Sequence, residues 1–321
     1  MGFLFRFGSS MYLMKKNFHL SILYFFVLLQ AAGQSQVIND SIKESLFNET
    51  GLLQHIKTLS SDAFEGRQTG TVGGIKAREY IIEQFQSLQF LPLTENYEQL
   101  FSLHKKGKVY KGSNILGCIK GTILPDTYIV ISAHYDHVGV KNGLIYNGAD
   151  DDASGVCALF SFAEYFKKYP PKHSVILAAF DAEELGLQGS KYFVNNSIIP
   201  LDKIMLDINM DMISRSDKNE LFVVGTTYND TLKNVILNLK QPQKIKLSIG
   251  HDGKDGLENW TYSSDQGSFQ MKNIPFLYFG VEDHKDYHQP TDDYENIQPG
   301  FYIEAVKAIM AVFEKIDQLQ I

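Results

Sequence analysis

Three pieces of one stretch, from Ile131 to Gly186, decide how this chain folds. Residues 131–139 read ISAHYDHVG, residues 147–155 read NGADDDASG, and residues 176–186 read ILAAFDAEELG. The first is an apolar strand-like run that ends in His134-x-Asp136. The second is a glycine-flanked turn holding Asp150, Asp151 and Asp152, and the third is an apolar run ending in Asp181-Ala-Glu183-Glu184. Acids placed just past buried strands are costly unless something positive neutralises them. A pair of zinc ions is the most economical candidate.

The same alternation of strand and helix extends on both sides. Asn114–Lys120 and Tyr128–His134 are β-rich runs with a Pro-Asp turn between them. Ala153–Lys168 reads as a helix with Val156, Leu159, Phe160 and Ala163 on one face, and Ser174–Phe180 is wholly apolar, as in a central parallel strand. Lys203–Met212, Leu221–Val224 and Ile274–Phe279 read as further strands, and Phe301–Leu319 as a closing helix. Upstream, helices are expected over Asp40–Leu59 and Ile75–Leu88, separated by a glycine-rich loop, GRQTGT (66–71) with two further glycines, that fits neither phosphate-binding pattern. Lys240–Glu258 is the most loop-like region. The pattern predicts an α/β protein: a three-layer α/β/α sandwich around a mixed, mainly parallel sheet.

Bulk properties narrow the function. The 321 residues are 44% hydrophobic and 21% charged, an ordinary globular composition. A net charge of -7 argues against a nucleic-acid partner. The two cysteines, Cys118 and Cys157, both sit in apolar surroundings and read as free thiols. Lys15 and Lys16 precede the apolar run Leu20–Leu29, followed by the small residues Ala31-Ala32-Gly33, which is the order of a secretory signal peptide. That run is about half the length a membrane-spanning helix needs. Residues 1–33 are therefore expected to be a signal, with Met14 as a candidate true start and 34–321 as one catalytic domain. The mature protein is expected to be secreted or periplasmic; retention through an uncleaved N-terminus is the alternative.

Ligands in open α/β sheets collect beyond the carboxyl ends of the strands, and His134, Asp181 to Glu184, Asp211 and His288 all follow such strands. Zinc accepts imidazole nitrogen and carboxylate oxygen. His134 and Asp211 can serve one ion, Glu184 and His288 the other, with Asp150 bridging. Glu183, beside a ligand but not bound itself, is then free to take a proton from water, and Asp136 is placed to accept the second ring N–H of His134. Taken singly, each has a plainer reading; one of Asp150 to Asp152, for instance, is expected to cap the following helix.

The motifs HYD (134–136), GADDDASG (148–155), EE (183–184), NMD (209–211) and HQPTDD (288–293), in this order, resemble the M28 family of zinc aminopeptidases. GRQTGT (66–71) is similar to that family's N-terminal signature. The resemblance runs from about Leu53 to the C-terminus, with no protease-associated insert domain. It implies two zinc ions per chain, held by His134, Asp150, Glu184, Asp211 and His288, with Glu183 as general base and Asp136 as the carboxylate behind His134. It also implies a cis bond after Asp150. The expected substrate is a peptide with a free N-terminus, its first side chain read by the Lys240–Glu258 and Gly280–Tyr287 loops. One departure is Ser264-Asp265-Gln266, where many relatives carry His after the Asp; Tyr262 nearby is a candidate to assist the oxyanion. Two other readings keep the fold: a single-zinc enzyme resembling glutaminyl cyclases, and a non-catalytic binding module. The complete set of candidate ligands and the presence of Glu183 favour hydrolysis over both.

Overall fold

The computed structural model describes Gly2, residues 45–240 and residues 244–319. The chain divides into two units, Met1–Ser45 and Leu46–Ile321, and every element below belongs to the second. Apart from Gly2, the expected signal segment lies outside the described residues.

In chain order the elements are α1 (Glu49–Leu59), α2 (Val72–Ser87), β1 (Leu91–Pro92), β2 (Glu98–Lys105), β3 (Lys108–Ile119), β4 (Leu124–His134), β5 (Gly139–Lys141) and β6 (Leu144–Tyr146). There follow α3 (Ser154–Lys168), β7 (His173–Phe180), α4 (Gln188–Asn195), β8 (Ile204–Met210), β9 (Glu220–Val224), α5 (Asp230–Leu237), β10 (Lys246–Ile249), α6 (Gln266–Gln270), β11 (Phe276–Gly280) and α7 (Pro299–Asp317). The main sheet runs β1-β3-β7-β4-β8-β11-β9-β10, with β2 paired to β3. Its centre, β7-β4-β8-β11, is parallel, and antiparallel pairs flank it.

The sheet alternates faces, and each face meets its own helices. Ile129, Ile131 and Ala133 of β4 join one core with α1, α2, α3, α5 and α7. Val130 of β4, Ile176, Ala178 and Phe180 join the other, against Phe193 of α4 and Phe269 of α6. Strands buried on both faces are mainly apolar, as β7 is from Val175 to Phe180. Each such Val or Ile contributes about 1.5–3 kcal/mol by leaving water. The three-layer α/β/α expectation stands.

Local signals moved several boundaries. Of the helix expected over Asp40–Leu59, residues 40–44 lie outside the described residues; the described helix begins at Glu49, where the Asn48 side chain accepts the Gly51 N–H at 3.0 Å. The second begins at Val72, capped by Thr71 through the Gly74 N–H at 3.2 Å. Pro125 and Asp126 form no separate turn; they fall within β4, where its register with β7 shifts between Leu124 and Tyr128. The Lys240–Glu258 region contains a strand, β10, parallel to β9. Cys118 and Cys157 are free thiols.

For the site, the key consequence is alignment. His134 pairs with Phe180, Ser132 with Asn209, and Met210 with Phe279. Four parallel strands thus end at one edge and deliver their following residues into one crevice.

Candidate metal centre

His134 is the last residue of β4, Glu183 and Glu184 lie just past β7, Asp211 follows β8 directly, and His288 lies in the loop after β11. The structure brings all five together. His134 Nε2 is 3.6 Å from Asp211 Oδ1, and His288 Nε2 is 3.2 Å from Glu184 Oε1.

The residue between these pairs is Asp151, not Asp150. Asp151 Oδ1 lies 3.2 Å from His134 Nε2, and Oδ2 lies 3.1 Å from His288 Nε2. Asp150 turns the other way: its Oδ1 accepts from the Ser214 backbone N–H and hydroxyl, each at 2.7 Å, and its Oδ2 lies 3.0 Å from His284 Nε2. The expectation for Asp150 is corrected by one residue. The backbone accounts for it, since Asp151 (φ −104°, ψ 98°) and Asp152 (φ −126°, ψ 49°) break the turn into alternating directions. The cis bond is correspondingly Asp151–Asp152. The third aspartate caps α3, accepting the Gly155 N–H on Asp152 Oδ1 at 2.8 Å.

Asp136 is also placed differently in detail. The His134 ring nitrogen Nδ1 faces the backbone carbonyl of Asp136 at 3.0 Å, while the carboxylate stands 3.8 Å away. A proton on Nδ1 leaves Nε2 with its lone pair toward the crevice. The Asp136 carboxylate instead accepts the Glu183 backbone N–H at 2.9 Å and the Thr69 hydroxyl at 3.2 Å. Asp136 thus positions His134 through its carbonyl and Glu183 through its carboxylate.

Two residues from the GRQTGT loop support this arrangement. Arg67, fully buried, donates Nε to Tyr135 O (2.9 Å), Nη1 to Leu59 O (3.2 Å) and Asn147 O, and Nη2 to Gly148 O (2.8 Å). It thereby ties the end of β4 to the turn that carries Asp151. Thr69 links Asp136 to Asp181, whose carboxylate also accepts the Tyr135 hydroxyl at 2.9 Å and the Ser113 N–H at 3.0 Å. Opposite them, Asp292 of the HQPTDD motif accepts the N–H groups of Asp150 and Asp151 at 3.0 and 3.1 Å.

The electrostatics are those of a cation site. Burial raises the Glu184 carboxyl, but the His137 and His288 imidazoles overcome it and hold it at about 2. Burial lowers His288, yet contact with Asp151 and Glu184 lifts it to about 10. Asp151 is held well below the ordinary range by His137, His134 and His288 despite its burial. Glu183 goes the opposite way: burial, with Asp265, Asp211 and Asp136 nearby, pushes it well up. Among the described buried atoms, Glu184 Oε1, Asp211 Oδ1 and both ring nitrogens of His137 lack any hydrogen-bond partner. Orphaned buried acceptors beside imidazoles are what a bound cation would satisfy. Two donor sets meet that requirement, His134–Asp151–Asp211 and His137–Asp151–Glu184. Zinc fits their mixture of imidazole and carboxylate.

The crevice opens into a cavity of about 150 Å³. His134, Asp151, Glu183, Asp211 and His288 form its floor, and Trp260, Tyr278, Val281, Tyr287, Glu258 and Asp283 wall it. Both loops expected to shape a pocket contribute, the first through Glu258 and the second through Val281, Asp283 and Tyr287. Tyr262 is not among the described residues that line it and is 55% exposed. His137, Arg67 and Tyr278 carry no expectation from the sequence. Signals were available for His137, which stands three residues after His134, and for Arg67, which lies in the GRQTGT stretch.

Comparison with known proteins assigns the family and the fold. Residues 114–313 match the profile of peptidase family M28, and the chain belongs to that family. It is similar to aminopeptidase YwaD of Bacillus subtilis, 34% identical over 193 residues, which is 57% of this chain and 40% of that protein. The first curated relatives are matched over 47%, 56% and 53% of their length, so the chain spans about half of them. Its fold resembles the crystal structure of BSAP, a zinc aminopeptidase from Bacillus subtilis, with TM-score 0.66 and 18% identity over 85% of this chain and 97% of that one. A glutaminyl cyclase from Fimbriiglobus ruber shares the fold equally well, with TM-score 0.65 and 15% identity over 84% of this chain and 95% of that one.

Proposed function

We propose that this chain is an exported aminopeptidase that holds two zinc ions and removes N-terminal residues from peptides. The observation that carries the reading is Asp151, whose two carboxylate oxygens face two separate donor sets at 3.2 and 3.1 Å from His134 and His288. His134 and Asp211 would hold one ion, Glu184 and His288 the other, and Asp151 would join them. Zinc bound there supplies Lewis acidity for the scissile carbonyl and a lowered pKa for water.

The chain's own residues do the remaining work. Glu183 lines the cavity beside these ligands and its backbone is fixed by Asp136. Its raised affinity for protons suits it to take one from the attacking water and return it to the leaving amine. The cavity lining favours an amino over a carboxyl terminus as the bound end. It includes Glu258 and Asp283 beyond the ligands, and among the described residues that line it none is a Lys or Arg that could hold a substrate carboxylate. Trp260, Tyr278 and Tyr287 offer apolar surface to the first side chain.

Export rests on the order of basic, apolar and small residues in 1–33. Among the described residues, no helix is long and apolar enough to cross a membrane.

The test is hydrolysis of one peptide series with free and acetylated N-termini by the zinc-loaded protein. Release of the first residue from the free series alone is expected. Cleavage of both would contradict aminopeptidase specificity, and conversion of N-terminal glutamine to pyroglutamate without hydrolysis would replace it with cyclase chemistry.

A further inference from the structure

The five-ligand arrangement leaves out His137. Its side chain is fully buried, and neither ring nitrogen has a hydrogen-bond partner. An imidazole buried that way is destabilising unless something occupies its lone pair. Its Nδ1 lies 3.0 Å from Glu184 Oε1 and 3.6 Å from Asp151 Oδ2. His288 Nε2 lies 3.2 and 3.1 Å from the same two oxygens. Zinc bonds of about 2.0–2.1 Å in a tetrahedron place neighbouring donors about 3.3–3.4 Å apart. All four separations fall near that edge length. The ring is also wedged in place, since a Cβ on Gly148 would stand 2.6 Å from its Cγ and Cδ2.

We infer that the two ion positions are chemically unequal, with His137 as the fourth protein donor of a closed site formed with Asp151, Glu184 and His288. The other position, held by His134, Asp151 and Asp211, has three protein donors and keeps a place open toward Glu183 and the cavity. The inference rests on the two-zinc reading above and goes beyond it. Sites closed by four protein ligands are structural, and sites with three are catalytic. The His137 ion is therefore held more tightly and exchanges slowly. The other exchanges readily and is the position that meets the substrate.

Competitive chelator titration of the metal-free full chain with Zn²⁺ tests this without reference to turnover. Wild type is expected to take up two ions in two resolved steps. In His137→Ala the tighter step should weaken by at least ~10²-fold, a loss that even removal of a ligand's hydrogen-bonded neighbour can reach, while the weaker step stays in place. Two ions in wild type with both steps unchanged in His137→Ala would overturn the role of His137 alone. Fewer than two ions in wild type would overturn the two-zinc reading and this inference with it. X-ray absorption of wild type carrying one equivalent of zinc needs no variant and covers the case in which His137→Ala does not fold. Two imidazoles on that zinc are expected, and one would overturn the assignment.

Discussion

Arg67→Ala isolates the part of the fold that holds the metal loop in place. The guanidinium is fully buried and donates to the carbonyls of Tyr135, Asn147 and Gly148, with a longer bond to Leu59. Burial pulls its pKa down, and the charges of Asp151, Asp292 and Asp152 oppose that pull, so it also offsets the local excess of acid. A buried acceptor deprived of its donor costs about 1–3 kcal/mol. Gly148 O keeps a second donor in the Ala153 N–H, at 3.2 Å. Tyr135 and Asn147 then account for most of the loss, and with the uncompensated aspartates the total is about 4 kcal/mol, within the range for removing one partner of a buried charge network. For a domain of this size that corresponds to a fall in Tm of roughly 8–16 °C. Thermal unfolding of the metal-free protein measures it, and zinc affinity should fall in parallel because the turn carrying Asp151 is released. Arg67→Lys should recover only part of both, since an ammonium cannot reproduce the planar fork. A metal-free Arg67→Ala protein within about 1 kcal/mol of wild type would refute the reasoning.

Three further outcomes follow from the site. Asp150→Ala should cost about 3 kcal/mol of stability through the lost Ser214 and His284 contacts while zinc content persists; denaturant unfolding with metal analysis checks this, and loss of zinc in a folded Asp150→Ala protein would restore Asp150 as a ligand. Glu183→Gln should lower kcat by about 10²–10⁴-fold with both ions retained, measured by steady-state kinetics and metal content; an unchanged kcat would remove Glu183 as the base. In the metal-free protein, His288 rises from 6.5 to about 10 and Glu184 falls from 4.5 to about 2. The His288 contribution to stability is thus complete below pH 6.5 and disappears as pH rises to about 10, and that of Glu184 is complete above pH 4.5 and disappears as pH falls to about 2. Metal-free Tm should be highest between these limits. Zinc uptake near pH 7.5 should release a proton from His288, seen by calorimetry as a heat that varies with the ionisation enthalpy of the buffer; a heat independent of buffer would contradict it.

Most of the frame is legible in the sequence, for a physical reason. Strands buried on both faces, such as β7 from Val175 to Phe180, are mainly apolar, and the polar residues that end them mark the crevice. His134, Glu183, Glu184, Asp211 and His288 were readable on that basis. Asp151 was not separable from its neighbours, because three consecutive aspartates offer identical chemistry and only the irregular backbone of the turn decides which one faces inward. Ala182, Met212 and His288 likewise adopt positive φ (60°, 58° and 53°), so side-chain direction around the site cannot be extrapolated from the regular strands. The strand β2 is concealed for another reason. Its inward row begins with Gln99, satisfied by Asn114 and by Asn196 O, and the next residue, Leu100, is 64% exposed, so polarity and burial are reversed at these two positions before Phe101 and Leu103 restore the apolar inward row. His137 stands in plain view in HYDH (134–137), yet only the fold shows that its nitrogens have nothing else to bind.

The most direct test of the account is the zinc content of the folded full-length protein, by mass spectrometry under non-denaturing conditions, for wild type and Asp151→Asn side by side. Asp151 touches both donor sets, so the account predicts two zinc ions in wild type and at most one, weakly held, in Asp151→Asn. A wild-type protein with a single zinc, or an Asp151→Asn protein that keeps two, would contradict it.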